Sequence, residues 1–219
     1  MTERTVHPIE ARSYAILRSR VDLTAHPPLT RAVIERVIHA SADLDYATDL
    51  VLSEEPLHQA WTALRNGAPV VTDVAMVASG ITTRPHDRTG ATTGQAMTRS
   101  AGRGVICRIS DPAAAVLARE RGITRSAAAV RLAAEEAGPG AVWVIGCAPT
   151  ALFEVIAADV RPALVIGLPV GFVGAAESKA ALRDSGLPAV SNRGEKGGSA
   201  VAAAAVNALL YQETTGRDL

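Results

Sequence analysis

Apolar residues along this chain follow two periods, one after the other. From Pro8 to Val21, Ile9, Ile16, Leu17 and Val21 fall on roughly one helical face with Arg12, Ser13 and Arg20 beside or opposite it, which predicts an amphipathic helix. A second helix follows His26-Pro27-Pro28, with a stripe of Leu29, Val33, Ile34, Val37 and Ile38; His39 falls at the stripe's edge, one turn after Glu35. Ala40 to Leu52 fits neither period. A third helix, Glu55 to Arg65, should stop at Asn66-Gly67, because glycine takes up the left-handed conformation that closes helices.

Beyond Gly67 the pattern becomes short β-branched runs alternating with alanine-rich helical stretches, which predicts parallel strands joined by crossover helices. The strands are expected at Pro69 to Thr72, Val105 to Ile109, Val142 to Ile145, Ala163 to Ile166 and Pro188 to Ser191. Helices are expected at Val74 to Ala78, Pro112 to Arg121, Ser126 to Ala137, Thr150 to Ala158, Ala175 to Ser185 and Ser199 to Tyr211. The strand runs are continuously apolar, as strands covered on both faces are. The fold class is therefore α/β: a single domain with an open, mostly parallel sheet flanked by helices. Thr83 to Gly104 breaks the rhythm with Gly, Thr and Arg and no apolar period, so it is expected to be a flexible polar excursion, either a lid or a surface insertion.

Composition narrows the function. At 219 residues and 48% apolar, the chain can bury a full core without disulfides or structural metal. Its 22 basic residues balance 22 acidic ones, which argues against nucleic acid as a partner. Lys179 and Lys196 are the only lysines; the arginine bias suits carboxylate or phosphate recognition, and genomic base composition would produce it equally. Aromatic residues make up 3%, so any large planar ligand must be held by aliphatic walls. Cys107 and Cys147 form no C-x-x-C pair and are read as buried, inert thiols. The amino terminus lacks a secretory pattern and no apolar stretch is long enough to span a bilayer, so a cytoplasmic protein without membrane partners is expected.

In an open parallel sheet, ligands bind outside the carboxyl ends of the strands. Four loops there are rich in glycine or small residues: Thr72 to Arg84, Gly146 to Leu152, Gly167 to Lys179 and Asn192 to Ser199. Each runs toward a helix whose first N–H groups attract anions. None is a Walker A loop, and no G-x-G-x-x-G follows a first strand. There is no G-x-S-x-G turn and no His-x-x-x-His pair, so a serine hydrolase or zinc enzyme is unsupported. His7, His26, His58 and His86 lie in exposed or turn contexts. His39, beside a strongly apolar stripe, is either a half-buried general acid or a satisfied structural histidine.

Several stretches together resemble the precorrin-8X methylmutase family. They are Ile9-Glu10-Ala11-Arg12-Ser13-Tyr14-Ala15-Ile16, Arg36-Val37-Ile38-His39-Ala40-Ser41, Gly67 to Val77, Gly80-Ile81-Thr82, Thr124-Arg125-Ser126-Ala127-Ala128, Gly146 to Leu152 and the loop Gly167 to Lys179, which is the most specific. The resemblance implies an α/β homodimer that moves a methyl group of a corrinoid ring from carbon 11 to carbon 12, turning precorrin-8X into hydrogenobyrinate without a cofactor or metal. It implies that His39 is the catalytic histidine and that Ser13, Thr82 and Arg125 line the substrate pocket, with Arg12, Asp73, Met76, Gly171 and Gly174 expected beside them. Two alternatives stay open: a cobalt-containing precorrin-8 as substrate, and a corrinoid carrier without turnover. The Thr83 to Gly104 link is longer and more polar than the family's usual connection, which bears on substrate range.

Overall fold

The computed structural model describes residues 7–82 and 104–212; the excursion expected at 83–104, with His86, lies outside them except for Gly104. In chain order the elements are α1 (Pro8–Arg20), α2 (Pro28–Ser41), α3 (Tyr46–Asp49), β1 (Leu50–Val51), α4 (Glu54–Arg65), β2 (Val70–Thr72), α5 (Ala75–Gly80), β3 (Val105–Cys107), α6 (Pro112–Arg121), α7 (Arg125–Ala137), β4 (Val142–Ile145), α8 (Pro149–Ala157), β5 (Leu164–Gly167), α9 (Ala175–Asp184), β6 (Ala189–Asn192) and α10 (Ser199–Leu210). The six strands form one sheet in the order β1-β6-β5-β4-β2-β3. All neighbours are parallel except β1, which runs antiparallel to β6 with Leu50 opposite Asn192.

Alternate residues of each central strand serve two different cores. Val142, Val144, Leu164 and Ile166 pack against α2 and α10, whereas Trp143, Ile145 and Val165 pack against α7, α8 and α9. Both faces are covered, so the runs are apolar throughout. The alanine-rich α10 has a packing reason. A Cβ on Gly80 would come within 2.8 Å of Ala203 Cβ, and one on Gly146 within 2.8 Å of Ala202 Cβ, so small side chains let α5 and the loop after β4 close onto this helix.

Three expectations need correcting. Ala40 to Leu52 contains α3 and the two-residue β1, so the sheet gains an antiparallel edge strand that no period announces. On α1 only Leu17 is buried, while Ile9 is 75% and Ile16 44% exposed, so its apolar side is not covered within the chain. Cys147 is exposed and Cys107 half-buried; neither is a core thiol.

The strand order reverses between β2 and β4, the position where open α/β sheets leave a crevice. Here the chain fills that crevice itself. Asp73, fully buried just after β2, accepts hydrogen bonds from the backbone N–H groups of Gly146 (3.1 Å), Cys147 (2.8 Å) and Ala148 (2.8 Å) after β4. Burial pushes the Asp73 carboxyl above the ordinary carboxylate range, and the three amides pull it partly back by stabilising the anion. An asparagine there would turn its NH2 toward amides that also donate. Asp73→Asn is expected to lower the unfolding free energy by about 2 kcal/mol, read from urea titrations; an unchanged midpoint would mean that the carboxylate does not staple the two loops.

Candidate active site

His39 sits in the last turn of α2, and the helix is fixed at both ends. At its start, where Pro27 offers no side-chain cap, Glu54 of α4 accepts from Leu29 N–H (3.0 Å), Thr30 N–H (2.8 Å) and the Thr30 hydroxyl (2.8 Å). A carboxylate suits these orphan donors and the positive end of the helix dipole. At its end Ala42 turns left-handed, and Lys196, in the loop after β6, pairs with Asp43 (2.8 Å) and Asp45. The carboxyl terminus of α2 is thereby tied to the carboxyl edge of the sheet.

α1 lies along α2 and supplies the partners of the histidine. The Ser13 hydroxyl lies 2.9 Å from His39 Nδ1, and the Tyr14 ring stacks on the imidazole with centroids 4.8 Å apart and planes within 10°. On one side, Arg18 makes a two-pronged pair with buried Glu35 at 2.8 Å for each bond. On the other, Arg36 donates to Glu10 (2.7 Å) and to the Tyr14 hydroxyl (3.1 Å). The Arg36 guanidinium also lies over the Tyr211 ring at 4.7 Å from its centroid, and the Tyr211 hydroxyl meets Thr82 Oγ1 at 2.5 Å. Thr82 is held in turn by its backbone N–H to Asn207 Oδ1 at 2.9 Å.

Among the expected residues, then, the structure brings Ser13 against His39 and links Thr82 to them through Tyr211, Arg36 and Tyr14. Arg12 is exposed on α1, one position before Ser13. Met76 is 72% exposed at the start of α5. Gly171 and Gly174 lie in the loop after β5 with φ of +146° and +78°; Gly174 caps α9 in a conformation that a side chain would strain. Asp73 is fully buried with both oxygens engaged by the backbone amides after β4. It also occupies the Gly146 to Ala148 amides, removing them from the anion sites expected along this edge. Arg125 is exposed at the first position of α7, and the contact of Thr124 with Thr150 (2.7 Å) places it beside the start of α8. It stands on the sheet face opposite α2, and no hydrogen bond among the described residues joins it to the His39 group.

Sequence reasoning passed over Tyr14, Arg36 and Tyr211, which join the His39 and Thr82 neighbourhoods. A signal existed: Glu10, Ser13 and Tyr14 share one face of α1, and Arg36 and His39 share one face of α2, the spacing two helices need to exchange polar side chains. Also unforeseen was Lys179, fully buried on α9, whose ammonium donates to Asn192 Oδ1 (3.0 Å) and to the Lys196 carbonyl (2.5 Å). Gly171 N–H donates to the Glu195 carbonyl (3.2 Å) and Gly198 N–H to the Leu168 carbonyl (2.8 Å), so the loops after β5 and β6 form one piece around that lysine. Among the described residues no group of three or more His, Cys, Asp or Glu side chains converges as a metal site, and no helix is long and apolar enough to cross a membrane.

The geometry sets a half-buried imidazole, with one nitrogen in contact with a hydroxyl, on a helix tied to the carboxyl edge of an open α/β sheet. Comparison with known proteins narrows the class. The precorrin-8X methylmutase family model matches residues 8–212. The chain is 44% identical to the cobalt-precorrin-8 methylmutase of Salmonella typhimurium over 208 residues, covering 93% of each. It is 40% identical to the precorrin-8X methylmutase of a Sinorhizobium species over 207 residues, covering 92% of each. The crystal structure of the Thermus thermophilus precorrin-8x methyl mutase superposes with a TM-score of 0.77 at 33% identity, covering 92% of this chain and 93% of that one. The chain belongs to the precorrin-8X methylmutase family and is an isomerase of cobalamin biosynthesis.

Burial, reinforced by the nearby Arg183, pushes the Lys179 ammonium down from 10.5 to about 8. The folded lysine gives up its proton at lower pH than the unfolded one, so unfolding takes up a proton between those values and stability rises with pH across that window. Denaturant titrations from pH 7 to 10.5 should show this rise in the wild type and not in Lys179→Met; parallel curves for the two proteins would place the amine in a solvated setting.

Proposed function

We propose that this enzyme moves the methyl group of precorrin-8X from carbon 11 to carbon 12, giving hydrogenobyrinate, with His39 placing a proton on, or a hydrogen bond to, a ring nitrogen. The observation that carries this is the Ser13 contact to Nδ1. If the hydroxyl donates to a neutral imidazole, the ring proton sits on Nε2; if the ring is cationic, Nδ1–H donates to the hydroxyl and Nε2 is again protonated. In both of these states Nε2–H is a donor; a neutral ring with Nδ1–H donating to the hydroxyl would leave Nε2 an acceptor, and the proposed mechanism requires one of the first two. In the rearrangement the bond from carbon 11 to the methyl breaks as the bond to carbon 12 forms, with no net oxidation and no leaving group. What accelerates it is withdrawal of electron density from the conjugated ring, and a donor at a ring nitrogen provides that.

Arg12 and Arg125 are proposed to bind peripheral carboxylates of the macrocycle, where the planar guanidinium gives two-pronged bonds. Thr82, Met76, Gly171 and Gly174 are proposed to line the remaining wall. A substrate touching both His39 and Arg125 of one chain has to straddle the edge of the sheet, since α2 and α7 pack on opposite faces. The cobalt-containing form is a second reading, favoured by the 44% identity to a relative named for it.

Anaerobic incubation with metal-free and with cobalt-loaded precursor, followed by absorbance, tests both readings and the carrier alternative. Multiple turnovers of the metal-free ring are expected, and His39→Ala and His39→Asn should slow the colour change by about 10²–10⁴-fold while still binding product. Conversion near the wild-type rate by either variant would remove His39 from the mechanism; stoichiometric binding without turnover by the wild type would favour a carrier.

We further propose that the enzyme is a cytoplasmic homodimer. Phe172 and Val173 are 89% and 88% exposed, and Ile9 and Ile16 leave the apolar side of α1 uncovered, side chains that a second copy would take out of water. Light scattering should return twice the 22.7 kDa chain mass; a monomer at micromolar concentration would refute it.

A further inference from the structure

Beyond His39 and Ser13, the seam between α1 and α2 holds a guanidinium that serves three partners at once. Arg36 sits one helical turn before His39 on α2. Its Nη1 donates to Glu10 and to the Tyr14 hydroxyl, and its plane covers the Tyr211 ring. Tyr14 lies almost parallel to the His39 ring. Tyr211 reaches Thr82, whose backbone is held by Asn207 of α10. Two ring systems on different elements are thereby fixed by one side chain, with the imidazole at one end of the chain of contacts and Thr82 at the other.

We propose that Arg36 is a positioning residue: by bonding Tyr14 and stacking on Tyr211, it fixes the plane of the His39 ring relative to Thr82. The inference rests on the reading of His39 as the proton-placing group. Ser13 restrains one nitrogen of the imidazole and leaves rotation about that hydrogen bond free; a parallel ring against its face removes that freedom. Tyr14 can do so only if its own hydroxyl is anchored, and Arg36 is that anchor. The planar, forked guanidinium is suited to the task, since it bonds at its edge and stacks on its face simultaneously. A lysine ammonium would satisfy one oxygen at a time and stack poorly. Misplacing a catalytic group by about 1 Å costs on the order of 10²-fold in rate.

The test combines a readout on the substrate-free protein with kinetics. A stacked tyrosine displaces the His39 ring protons upfield in NMR spectra, and this displacement should shrink in both Arg36→Met and Tyr14→Phe, because the ring loses its tether in each. With precorrin-8X, Arg36→Met is expected to lower kcat by about 10²-fold with KM little changed, and Arg36→Lys to fall between it and the wild type. The Arg36→Met/Tyr14→Phe double variant should be no slower than the slower single variant, since both break one linkage. Three results would overturn the proposal: an unmoved ring displacement in Arg36→Met, losses that multiply in the double variant, or a raised KM at unchanged kcat, which would make the guanidinium a direct substrate contact. A wild type that turns over neither form of substrate would defeat the functional reading, and the NMR displacement would still decide whether Arg36 holds the ring.

Discussion

A carboxylate buried between the ends of two parallel strands governs how the rest of the edge is used. Asp73 takes three backbone amides at the point where the strand order reverses, and in doing so it holds the loop after β4 against β2. Taking an anion out of water is costly, and three charge-assisted hydrogen bonds are the kind of compensation that makes such burial tolerable. The crevice is consequently not a free anion site. The His39 group lies in the seam between α1 and α2, two helices that precede the parallel sheet and lean on it through α10. The same end of the sheet is closed off by the loops joined around Lys179, which leave Phe172 and Val173 facing outward.

Within that seam, polar contacts contribute orientation more than stability. Arg18 is 63% exposed, so its pair with Glu35 is screened and adds little net free energy, yet its two-pronged geometry fixes the register of α1 along α2. Glu10 and Arg36, at 18% and 17% exposure, do the same closer to the histidine. With register fixed on either side, the Ser13 hydroxyl arrives at Nδ1 and Tyr14 at the ring face without either side chain having to search. α1 buries only Leu17 among its apolar residues, so it has little packed apolar face of its own to set that register.

Much of this was legible in sequence because buried parallel strands leave continuous apolar runs and crossover helices leave caps. β2, β4, β5 and β6 fall within a residue or so of their expected positions, and α2 starts where its prolines require. β1 was not legible: two residues cannot display a period, and its pairing depends on Asn192, far along the chain. β3 ends at Cys107 rather than Ile109, where the chain turns toward α6. α1 reads as amphipathic, but whether an apolar side is covered depends on what lies opposite it. His39 stood out because a titratable ring at the edge of an apolar stripe has to be accounted for; Arg36, three residues earlier, carries no such mark in the sequence. What distinguishes it is its company, two aromatic rings from different parts of the chain, and side-chain partnerships of that kind are long-range. Asp73 was visible as a residue but not in its role, since the amides it binds lie more than seventy positions away.

The alanine face of α10 has a bearing on how this protein can vary over evolutionary time. On one flank it meets Gly80, two residues ahead of Thr82; on the other it meets Gly146, in the loop that Asp73 secures. The helix thus acts as a spacer of fixed gauge between the two halves of the edge. A single added methyl on either glycine would have to be absorbed by displacing α10, and the displacement would arrive at Tyr211 as well. Substitutions on the outer helices leave this gauge untouched, while any side chain added at either glycine has to be absorbed along this one wall.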